Sequence, residues 1–285
     1  MKTSVLLIGV ALLLCRALPA HAQAKIRVMT YNIRHAEGLD GNMDLDRIAA
    51  IINETRADVV CLQEVDKNLP RTGHADFPKR LAEKLHMNVV FGDNYHFDGG
   101  DYGNATFTRF AIESSENIPL PGPSDAEPRG CLRTTVTVEG QRIDVLNTHF
   151  GLKPAERADQ AAAVAAALHP IPTILAGDLN ENRDAPAVRV LMENLADADG
   201  PGTVTSSQEA STKHIPGKID FILVSGHLNV LLSCILKTPQ TEVASDHLPW
   251  VADLRVTPPR DDAAEKGVHD NDDERVSEAL KAEGG

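Results

Sequence analysis

The sequence predicts an α/β domain of the α+β type, in which two packed β-sheets are covered by helices. Short apolar segments typical of strands outnumber the segments with helical spacing, and the helical segments do not alternate regularly with the strands. Hydrophobic residues make up 42% of the 285-residue chain, which suits a globular core. One domain is predicted over residues 25–257.

The first 22 residues are predicted to be a cleavable secretory signal. Lys2 precedes an apolar run at residues 5–14, and Ala-His-Ala at residues 20–22 has the small-x-small pattern of a signal peptidase site. A lipid-modified Cys15 is the alternative, but the three leucines before it lack the small residue that such sites need. No other segment approaches the ~20 apolar residues of a membrane helix. We therefore expect a secreted or periplasmic monomer without a membrane span.

The elements of the domain follow from the spacing of apolar residues. Strands are predicted from short apolar runs bounded by turn residues, and helices from apolar residues three or four apart, as at Leu45, Ile48 and Ile52. A hairpin is predicted around Glu139-Gly140. In chain order, strands are predicted at 26–32, 58–65, 88–91, 105–112, 133–138, 142–149, 173–176, 219–224, 230–236 and 248–256, and helices at 44–56, 77–85, 154–168 and 185–194.

Three polar segments are predicted to lack regular structure. Residues 118–130 (IPLPGPSDAEPRG) are rich in proline and glycine, which break both helices and strands. Residues 93–101 (DNYHFDGGD) are acidic and glycine-rich but lack the spacing of a calcium-binding loop, so a mobile loop is predicted. The acidic tail at 258–285 has few apolar residues with which to pack, and we expect it to be disordered.

Charge and cysteine usage narrow the possible functions. The formal net charge is −13, so the surface repels phosphate backbones, which argues against tight, non-specific nucleic-acid binding. Beyond the signal, Cys61, Cys131 and Cys234 lie far apart, without the spacing of a zinc site or a redox pair. They are interpreted as small buried hydrophobic residues. No GxSxG motif is present, which argues against a serine hydrolase.

Six predicted strands carry a carboxylate, amide or imidazole at one end. Taken singly, Asp and Asn there could be turn residues, and a histidine could be a satisfied core residue. Taken together, they provide oxygen ligands suited to Mg²⁺ or Mn²⁺ and imidazoles suited to proton transfer near neutral pH. The side chains concerned are Asn32, Glu64, Asn147, His149, Asp178, Asn180, Asp220, Asp246 and His247.

These strand ends belong to motifs that resemble a known superfamily. TYNIR, CLQEVD, YGNATFTRFAI, LNTHFG, AGDLN, KIDFILV and SDHLPWVADL occur in the order typical of the endonuclease/exonuclease/phosphatase superfamily, the DNase I-like hydrolases. The resemblance covers about residues 26–256. It implies a four-layered αββα sandwich of two packed mixed sheets, and a metal-dependent enzyme that cleaves phosphate esters.

The resemblance also implies roles for the residues at the strand ends. Asp178 corresponds to the residue that orients or deprotonates the attacking water, and Asn180 to a donor to the phosphate. His247 corresponds to the histidine that contacts the scissile phosphate, with Asp220 holding its other ring nitrogen. His149 matches an additional histidine of the DNase I-like branch. In-line attack on a phosphoester needs such an activated water and stabilisation of the developing charge.

The implied metal site contains oxygen ligands only. Glu64 resembles the principal ligand, Asn32 lies beside it, and Asp246 resembles a second carboxylate on the metal side. The cofactor implied is Mg²⁺ or Mn²⁺. One departure is Arg34, which stands where abasic-site nucleases of the superfamily carry an aspartate, so a full copy of their metal site is not expected.

Three further side chains resemble positions near the phosphate. Asn104 and Arg109 lie in YGNATFTRF, and Arg129 follows the proline-rich loop. Arg129 could equally be a surface arginine.

The function predicted from these observations is a secreted, metal-dependent phosphoesterase. Its acidic charge, scarce aromatic residues and absence of basic runs favour a phosphodiesterase for a small-molecule or lipid-headgroup phosphoester over an enzyme that grips nucleic acid. The alternatives are an extracellular DNase I-like nuclease, which would use the same chemistry, and a non-catalytic binding module on the same fold.

Overall fold

The computed structural model of the chain describes residues 24–199 and 218–257, so the predicted signal and tail lie outside the described residues. Its elements are β1 (Lys25–Asn32), α1 (Leu45–Thr55), β2 (Val59–Lys67), α2 (Phe77–Leu85), β3 (Asn88–Phe97), β4 (Gly100–Thr108), β5 (Ala111–Leu120), β6 (Arg129–Val138), β7 (Gln141–His149), α3 (Pro154–Ala166), β8 (Thr173–Asp178), α4 (Pro186–Met192), β9 (Ala196–Asp197), β10 (Asp220–Val224), β11 (Leu228–Ile235), α5 (Thr241–Ala244) and β12 (Trp250–Val256). The short elements β9 and α5 have no counterpart in the sequence prediction.

The strands form two six-stranded mixed sheets. The first sheet has the order β11-β12-β1-β2-β4-β3 and the second the order β5-β6-β7-β8-β10-β9. In the first sheet β1 and β2 are parallel, and in the second β7 and β8 are parallel, while the other neighbours are antiparallel. Each sheet therefore has two central strands whose carboxyl ends point the same way.

Three apolar clusters separate four layers. One cluster fills the space between the sheets and includes Trp250, a second lies between the first sheet and α1 and α2, and a third lies between the second sheet and α3 and α4. The predicted four-layered αββα sandwich is confirmed. Cys61 and Cys131 are buried as free thiols, and Cys234 is free and half-buried.

The helices begin where the sequence provides caps. The Asp44 side chain accepts the backbone N–H of Arg47 at the start of α1, and Asp76 accepts that of Lys79 at the start of α2. Such caps satisfy donors that have no partner within the helix. Within residues 24–199 and 218–257, no helix combines the length and the apolar character required to cross a bilayer.

Strand alternation carries polar side chains to one end of the space between the sheets. In β1, Val28 belongs to the inter-sheet cluster, and Asn32 lies four residues later on the same face. In β8, Ile174 belongs to that cluster and Asp178 lies four residues later. The same face of each strand is thus apolar in the middle and polar at its carboxyl end, so the polar ends of the two sheets face each other.

The predicted strand at 105–112 is two strands in different sheets. β4 ends at Thr108 in the first sheet, and β5 starts at Ala111 in the second. The chain crosses between the sheets at Arg109, whose backbone N–H and Nε donate to the carbonyls of Asp58 (2.9 Å) and Ala57 (3.2 Å). Those carbonyls precede β2, whereas Glu64 lies near its other end, so Arg109 is far from the position predicted for the phosphate.

The predicted mobile loop at 93–101 is a hairpin instead. β3 and β4 pair from Asn88 to Thr108 around a two-residue turn at Asp98 and Gly99, both with positive φ (49° and 77°). That backbone suits the right-handed twist of paired strands and favours Asp-Gly. The hairpin predicted around Glu139-Gly140 is confirmed, with φ of 48° and 83°. The irregular segment predicted at 118–130 shrinks to 121–128, since β5 and β6 extend into it.

Candidate active site

The polar strand ends meet in a cleft of about 340 Å³ at one edge of the two sheets. Six of the predicted site residues line it: Glu64, Arg129, His149, Asp178, Asn180 and His247. A wider groove of about 710 Å³ lies beside α2, and none of the predicted site residues lines it. Arg71 borders both cavities. The predicted site residues therefore gather at the smaller cleft and not in the wider groove.

Asn32 joins the two sheets at the base of the cleft. Its Nδ2 donates to Glu64 Oε1 at 2.9 Å and to Asp178 Oδ2 at 3.1 Å, and its Oδ1 accepts the backbone N–H of Arg34 at 3.1 Å. Ser245 Oγ donates to the Asn32 carbonyl at 2.8 Å, so the segment before β12 is tied to the end of β1. One amide thus holds a carboxylate from each sheet within hydrogen-bond range.

Glu64 reaches the cleft because β2 contains a bulge. The pairing with β4 shifts register between Leu62 and Val65, and both of these residues face the helix-covered core. Glu64, between them, has a φ of 56°, a left-handed backbone that costs a non-glycine residue about 1–3 kcal/mol. In a regular strand Leu62 and Val65 would face opposite sides of the sheet, because they are three positions apart. The bulge therefore frees Glu64 to turn toward the cleft.

Asp178 is the most enclosed carboxylate of the cleft. Its Oδ1 accepts the backbone N–H of Asn180 at 2.9 Å, and its Oδ2 lies 3.5 Å from His247 Nε2 and 3.6 Å from His149 Nε2. Burial, and then the neighbouring charge of Asp220, raise its pKa from 3.8 to about 7, against the lowering effect of His247. Asp178 can therefore exchange a proton near neutral pH.

His247 is held by Asp220. The two carboxylate oxygens of Asp220 lie 3.0 and 3.2 Å from Nδ1 of His247, and both side chains are buried. The position of Asp220 follows from the sheet, since it pairs directly with Asp178 across β10 and β8. Burial lowers the pKa of His247, but Asp220, Asp178 and Asp246 outweigh it and raise the pKa from 6.5 to about 10. The raised pKa favours the protonated ring, whose Nε2 lies 3.5 Å from Asp178 Oδ2.

His149 is held by Arg129 rather than by an acid. Arg129 Nη1 lies 3.0 Å from His149 Nδ1 and 2.7 Å from Glu127 Oε1. Because a guanidinium only donates, Nδ1 of His149 accepts, and the ring proton of the neutral form lies on Nε2. Burial, Arg129 and His247 lower the pKa of His149 well below 6.5, which keeps the ring neutral. Arg129 is thus a buried part of the site and not a surface arginine.

Asn32 and Asp220 do not line the cleft themselves but bond to residues that do. Besides Arg109, Asn104 and Asp246 are not brought to the cleft, and Asn180 is partly engaged elsewhere. Asn104 is buried behind it, and its Nδ2 donates to the carbonyls of Gly130 (3.1 Å) and Asn147 (3.4 Å). Asp246 does not line the cleft, and its side chain accepts a 3.4 Å hydrogen bond from the adjacent Ser245. Asn180 lines the cleft, with one Nδ2 hydrogen donated to the Phe150 carbonyl (2.8 Å).

The cleft also contains residues that the sequence analysis missed. Arg71, Tyr95, Phe97 and Tyr102 form one wall, and His35, Glu127 and Leu152 also line the cleft. Asp66, which pairs with Arg71, and Tyr102 belong to the quoted motifs but were given no role. The missed signal for Tyr95 and Phe97 is their period-two spacing just before Asp-Gly, which is typical of a hairpin strand.

Two groups of donors could hold a metal ion. Ligand atoms of Asp178, Asp220 and His247 lie within 4.8 Å of one another. Asp220 and Asp178 are both paired with His247, whereas Asn32 is the sole hydrogen-bond partner of the Glu64 carboxylate among the described residues. The side-chain oxygens of Glu64 and Asn32 are therefore less engaged and more available to bind a metal ion. Oxygen ligands of this kind suit a hard divalent cation.

The fold and the cleft together define a class of α/β-sandwich hydrolases with acid, amide and imidazole groups at the sheet edge. The sequence model of the Endonuclease/Exonuclease/phosphatase family matches residues 29–247, and the chain belongs to this family. Its members are phosphoester hydrolases and are generally metal-dependent.

The chain is also similar to individual proteins and solved structures. YbhP of Escherichia coli (strain K12), an uncharacterized protein, is 31% identical over 178 residues, covering 56% of this chain and 69% of YbhP. An endonuclease/exonuclease/phosphatase structure from Beutenbergia cavernae DSM 12333 is 28% identical with a TM-score of 0.67, covering 82% of this chain and 72% of that one. A mannosyl-6-phosphatase from Bacteroides thetaiotaomicron VPI-5482 is 20% identical with a TM-score of 0.65, covering 80% and 99%, and shares the fold.

Proposed function

We propose that the chain is an exported, Mg²⁺- or Mn²⁺-dependent phosphodiesterase that hydrolyses a small-molecule or lipid-headgroup phosphoester by attack of water. The observation that carries this proposal is the hydrogen-bonded link from Glu64 through Asn32 to Asp178, with His247 and His149 beside it in one cleft. Such an arrangement would supply a carboxylate for a cation, a base for water and two imidazole donors around one small volume.

The metal would be held by Glu64 and Asn32. Glu64 offers the oxygen that Asn32 does not engage, and Asn32 Oδ1 accepts only the backbone N–H of Arg34 among the described residues. When bound, the cation would neutralise negative charge on the phosphate oxygens. Asp246 is not included in this set, because among the described residues its side chain neither lines the cleft nor hydrogen-bonds to a residue that does.

Asp178 is proposed to orient and deprotonate the attacking water. A general base works best when its pKa lies near the working pH, and burial beside Asp220 brings the pKa of Asp178 to about 7. Its Oδ1 accepts the Asn180 N–H, which fixes the carboxylate plane.

The two histidines are proposed to donate hydrogen bonds to the phosphate. Both Nε2 atoms lie 3.5–3.6 Å from the same oxygen of Asp178, so a phosphate beside Asp178 meets both N–H groups. His247 brings a positive charge that Asp220 maintains, whereas His149 is a neutral donor whose tautomer is set by Arg129. Fixed donors of this kind stabilise the charge that grows on the phosphoryl oxygens during attack. The free Nδ2 hydrogen of Asn180 is proposed to join them.

The proposed substrate class rests on size and charge. The cleft holds about 340 Å³ and contains two arginines, Arg71 and Arg129, while the chain as a whole has a net charge of −13. Such a site suits one or two phosphates rather than a long phosphate backbone, which needs an extended basic surface.

The test is a metal-dependent assay on a panel of phosphoesters. Protein without the predicted signal is dialysed against EDTA and then assayed with and without Mg²⁺ or Mn²⁺ on bis(p-nitrophenyl) phosphate, sphingomyelin, inositol phosphates and duplex DNA. We expect no hydrolysis after EDTA and recovery with either ion. Asp159→Asn, which changes an exposed acid on α3, is the matched control for Asp178→Asn.

Three results would contradict parts of the proposal. Activity that survives EDTA would refute the metal mechanism. Cleavage of DNA orders of magnitude faster than any small ester, with kcat/KM falling steeply over roughly 20 to 300 mM salt, would establish a nuclease instead. Binding of phosphoesters without turnover of any of them would indicate a non-catalytic binding module.

A further inference from the structure

Three aromatic rings form one wall of the cleft, and none has a role in the hydrolysis proposed above. Tyr95 and Phe97 lie on β3 with ring centroids 4.7 Å apart and an interplanar angle of 26°, a stacked arrangement. Tyr102 on β4 meets Phe97 edge-on, at 6.5 Å and 69°. All three line the same cleft as Asp178 and His247.

An ion pair between the exposed Arg71 and a buried carboxylate holds two of these rings, Phe97 and Tyr102, in place. The Arg71 guanidinium lies 5.5 Å from the ring centroids of both Phe97 and Tyr102. Its Nε and Nη2 donate to the two carboxylate oxygens of the fully buried Asp66 at 2.7 and 2.6 Å. Such a two-point pair fixes the guanidinium plane, so the rings packed on it have little freedom to lose on binding.

The hairpin that carries the rings packs closely against the end of β2. A Cβ on Gly100, at the start of β4, would lie 2.7 Å from backbone atoms of residues 67–69. Only glycine permits the backbone of the hairpin to approach the end of β2 this closely. Phe97 pairs with Gly100 across the hairpin, so its backbone is fixed relative to Glu64 on β2.

The stack ends at Tyr95, which also lines the cleft. Tyr102 is 7% exposed, whereas Tyr95 and Phe97 are both half-buried. Among the described residues, Tyr95 makes no ring or cation contact besides the one with Phe97. A preformed aromatic surface that stays partly wet next to a polar centre is typical of a ligand-binding wall.

We propose that Tyr95 and Phe97 form a stacking platform for a planar aromatic or heteroaromatic ring of the phosphoester, while its phosphate lies at Asp178 and His247. This inference rests on the proposed function and narrows its substrate class. Rings stack offset on such faces, and the ligand's ring would continue the order of Phe97 and Tyr95.

The charge beside the platform argues against a cationic headgroup. Aromatic walls also bind quaternary ammonium groups, through attraction of the cation to the ring face. Here Arg71 already lies over Phe97 and Tyr102, so the faces of these two rings are less open to a ligand cation. A neutral planar ring can stack on Tyr95 without needing those faces.

The test measures binding of non-hydrolysable phosphonates by calorimetry with Mg²⁺ present. Benzylphosphonate, cyclohexylmethylphosphonate, methylphosphonate and phosphocholine are titrated into wild type, Tyr95→Ala, Tyr95→Phe and His96→Ala. His96 is exposed and pairs with Asp101, so its variant is the matched control on the same strand. Circular dichroism checks that each variant is folded.

We expect benzylphosphonate to bind about 5- to 150-fold more tightly than methylphosphonate, the range that stacking of one ring provides. Tyr95→Ala should remove most of this advantage without weakening methylphosphonate, and Tyr95→Phe and His96→Ala should keep it. Cyclohexylmethylphosphonate and phosphocholine should bind less tightly than benzylphosphonate.

Two distinct patterns would overturn the inference. If methylphosphonate binds and phosphoesters are hydrolysed, but benzylphosphonate has no advantage or keeps it in Tyr95→Ala, the platform is refuted and the proposed function stands. Equal or tighter binding of the cyclohexylmethyl or choline compound refutes it in the same way. If no phosphonate binds and no phosphoester is hydrolysed, the proposed function fails and the platform fails with it.

Discussion

Replacing Asp220 by Asn tests whether this carboxylate maintains the charge of His247. Both oxygens of Asp220 lie within 3.2 Å of the ring's Nδ1, and both side chains are buried. Asparagine has nearly the same shape and can still accept one hydrogen bond, but it carries no charge. The substitution therefore removes an electrostatic interaction and leaves the packing largely unchanged.

The magnitude follows from the pKa of His247. Burial alone lowers this pKa, and Asp220 is the largest of the carboxylates that raise it from 6.5 to about 10. At about 1.4 kcal/mol per pKa unit, that difference corresponds to at most about 5 kcal/mol in favour of the charged ring. Since the folded-state pKa is the higher one, this stabilisation is complete below pH 6.5 and is lost as the pH rises to about 10.

Two measurements check the prediction. The kcat/KM of Asp220→Asn on bis(p-nitrophenyl) phosphate should fall by ~10² to 10⁴-fold, as it does when a histidine loses the acid that orients it. In EDTA, the variant should lose stability less steeply than wild type between pH 6.5 and about 10, where His247 contributes a slope of up to about 1.4 kcal/mol per pH unit.

Asp253→Asn is the matched control, because Asp253 pairs with Arg27 at 2.6 Å and does not line the cleft. It should keep wild-type kcat/KM. If folded Asp220→Asn stays within about threefold of wild type in kcat/KM, or keeps the wild-type pH slope, then Asp220 does not set the state of His247.

Two other substitutions should separate activity from stability. Asp178→Asn should lower kcat by ~10²-fold or more. In EDTA near pH 8, Asp178→Asn should also raise Tm. The pKa of the Asp178 carboxyl rises from 3.8 to about 7 on folding, so this group destabilises the fold increasingly as it ionises. An unchanged or lower Tm would contradict this reasoning. Glu64→Gly should abolish metal-dependent activity. Its free energy of unfolding should be unchanged or higher by up to ~1 kcal/mol, because glycine accepts a φ of 56° without strain. Glu64→Ala keeps the strain, and equal loss of Tm in both variants would refute the strain argument.

The strand ends of the site could be predicted because alternation is a local property. In β8, Ile174 and Ala176 mark the face that packs on the other sheet, and Asp178 continues it. A polar residue in register with an apolar face must lie where that face meets water, at the end of the strand. The placements of Asn32 and Asp220 follow the same rule.

The hairpin of β3 and β4 was missed because its composition resembles a loop. Its signal was Asp98-Gly99 after alternating aromatic residues, the same kind of turn as Glu139-Gly140, which was recognised. The glycines and acids around it outweighed that signal. The missed hairpin is the one that brings Tyr95 and Phe97 to the cleft, so a local error concealed a whole wall of the site.

Pairings between distant segments could not be predicted from local pattern. Arg129 reaches His149 because β6 and β7 are neighbours, and Arg71 reaches the hairpin rings because Asp66 anchors it from β2. Nothing in the local sequence around Arg129 indicates whether this arginine is a buried hydrogen-bond partner of a histidine or is exposed on the surface. Such partners depend on the order of strands in each sheet, which alternation does not encode.

The unfavourable features of this fold are concentrated at the cleft. Glu64 and Asn180 have left-handed backbones there, and Asp178 and Asp220 are buried acids paired across neighbouring strands. Each would cost stability in isolation. They persist because the strands that carry them are held in register elsewhere, by apolar side chains on both faces of each sheet. The core thus fixes the strand ends independently of the site, and this is why changes that abolish the chemistry are expected to spare or even stabilise the fold.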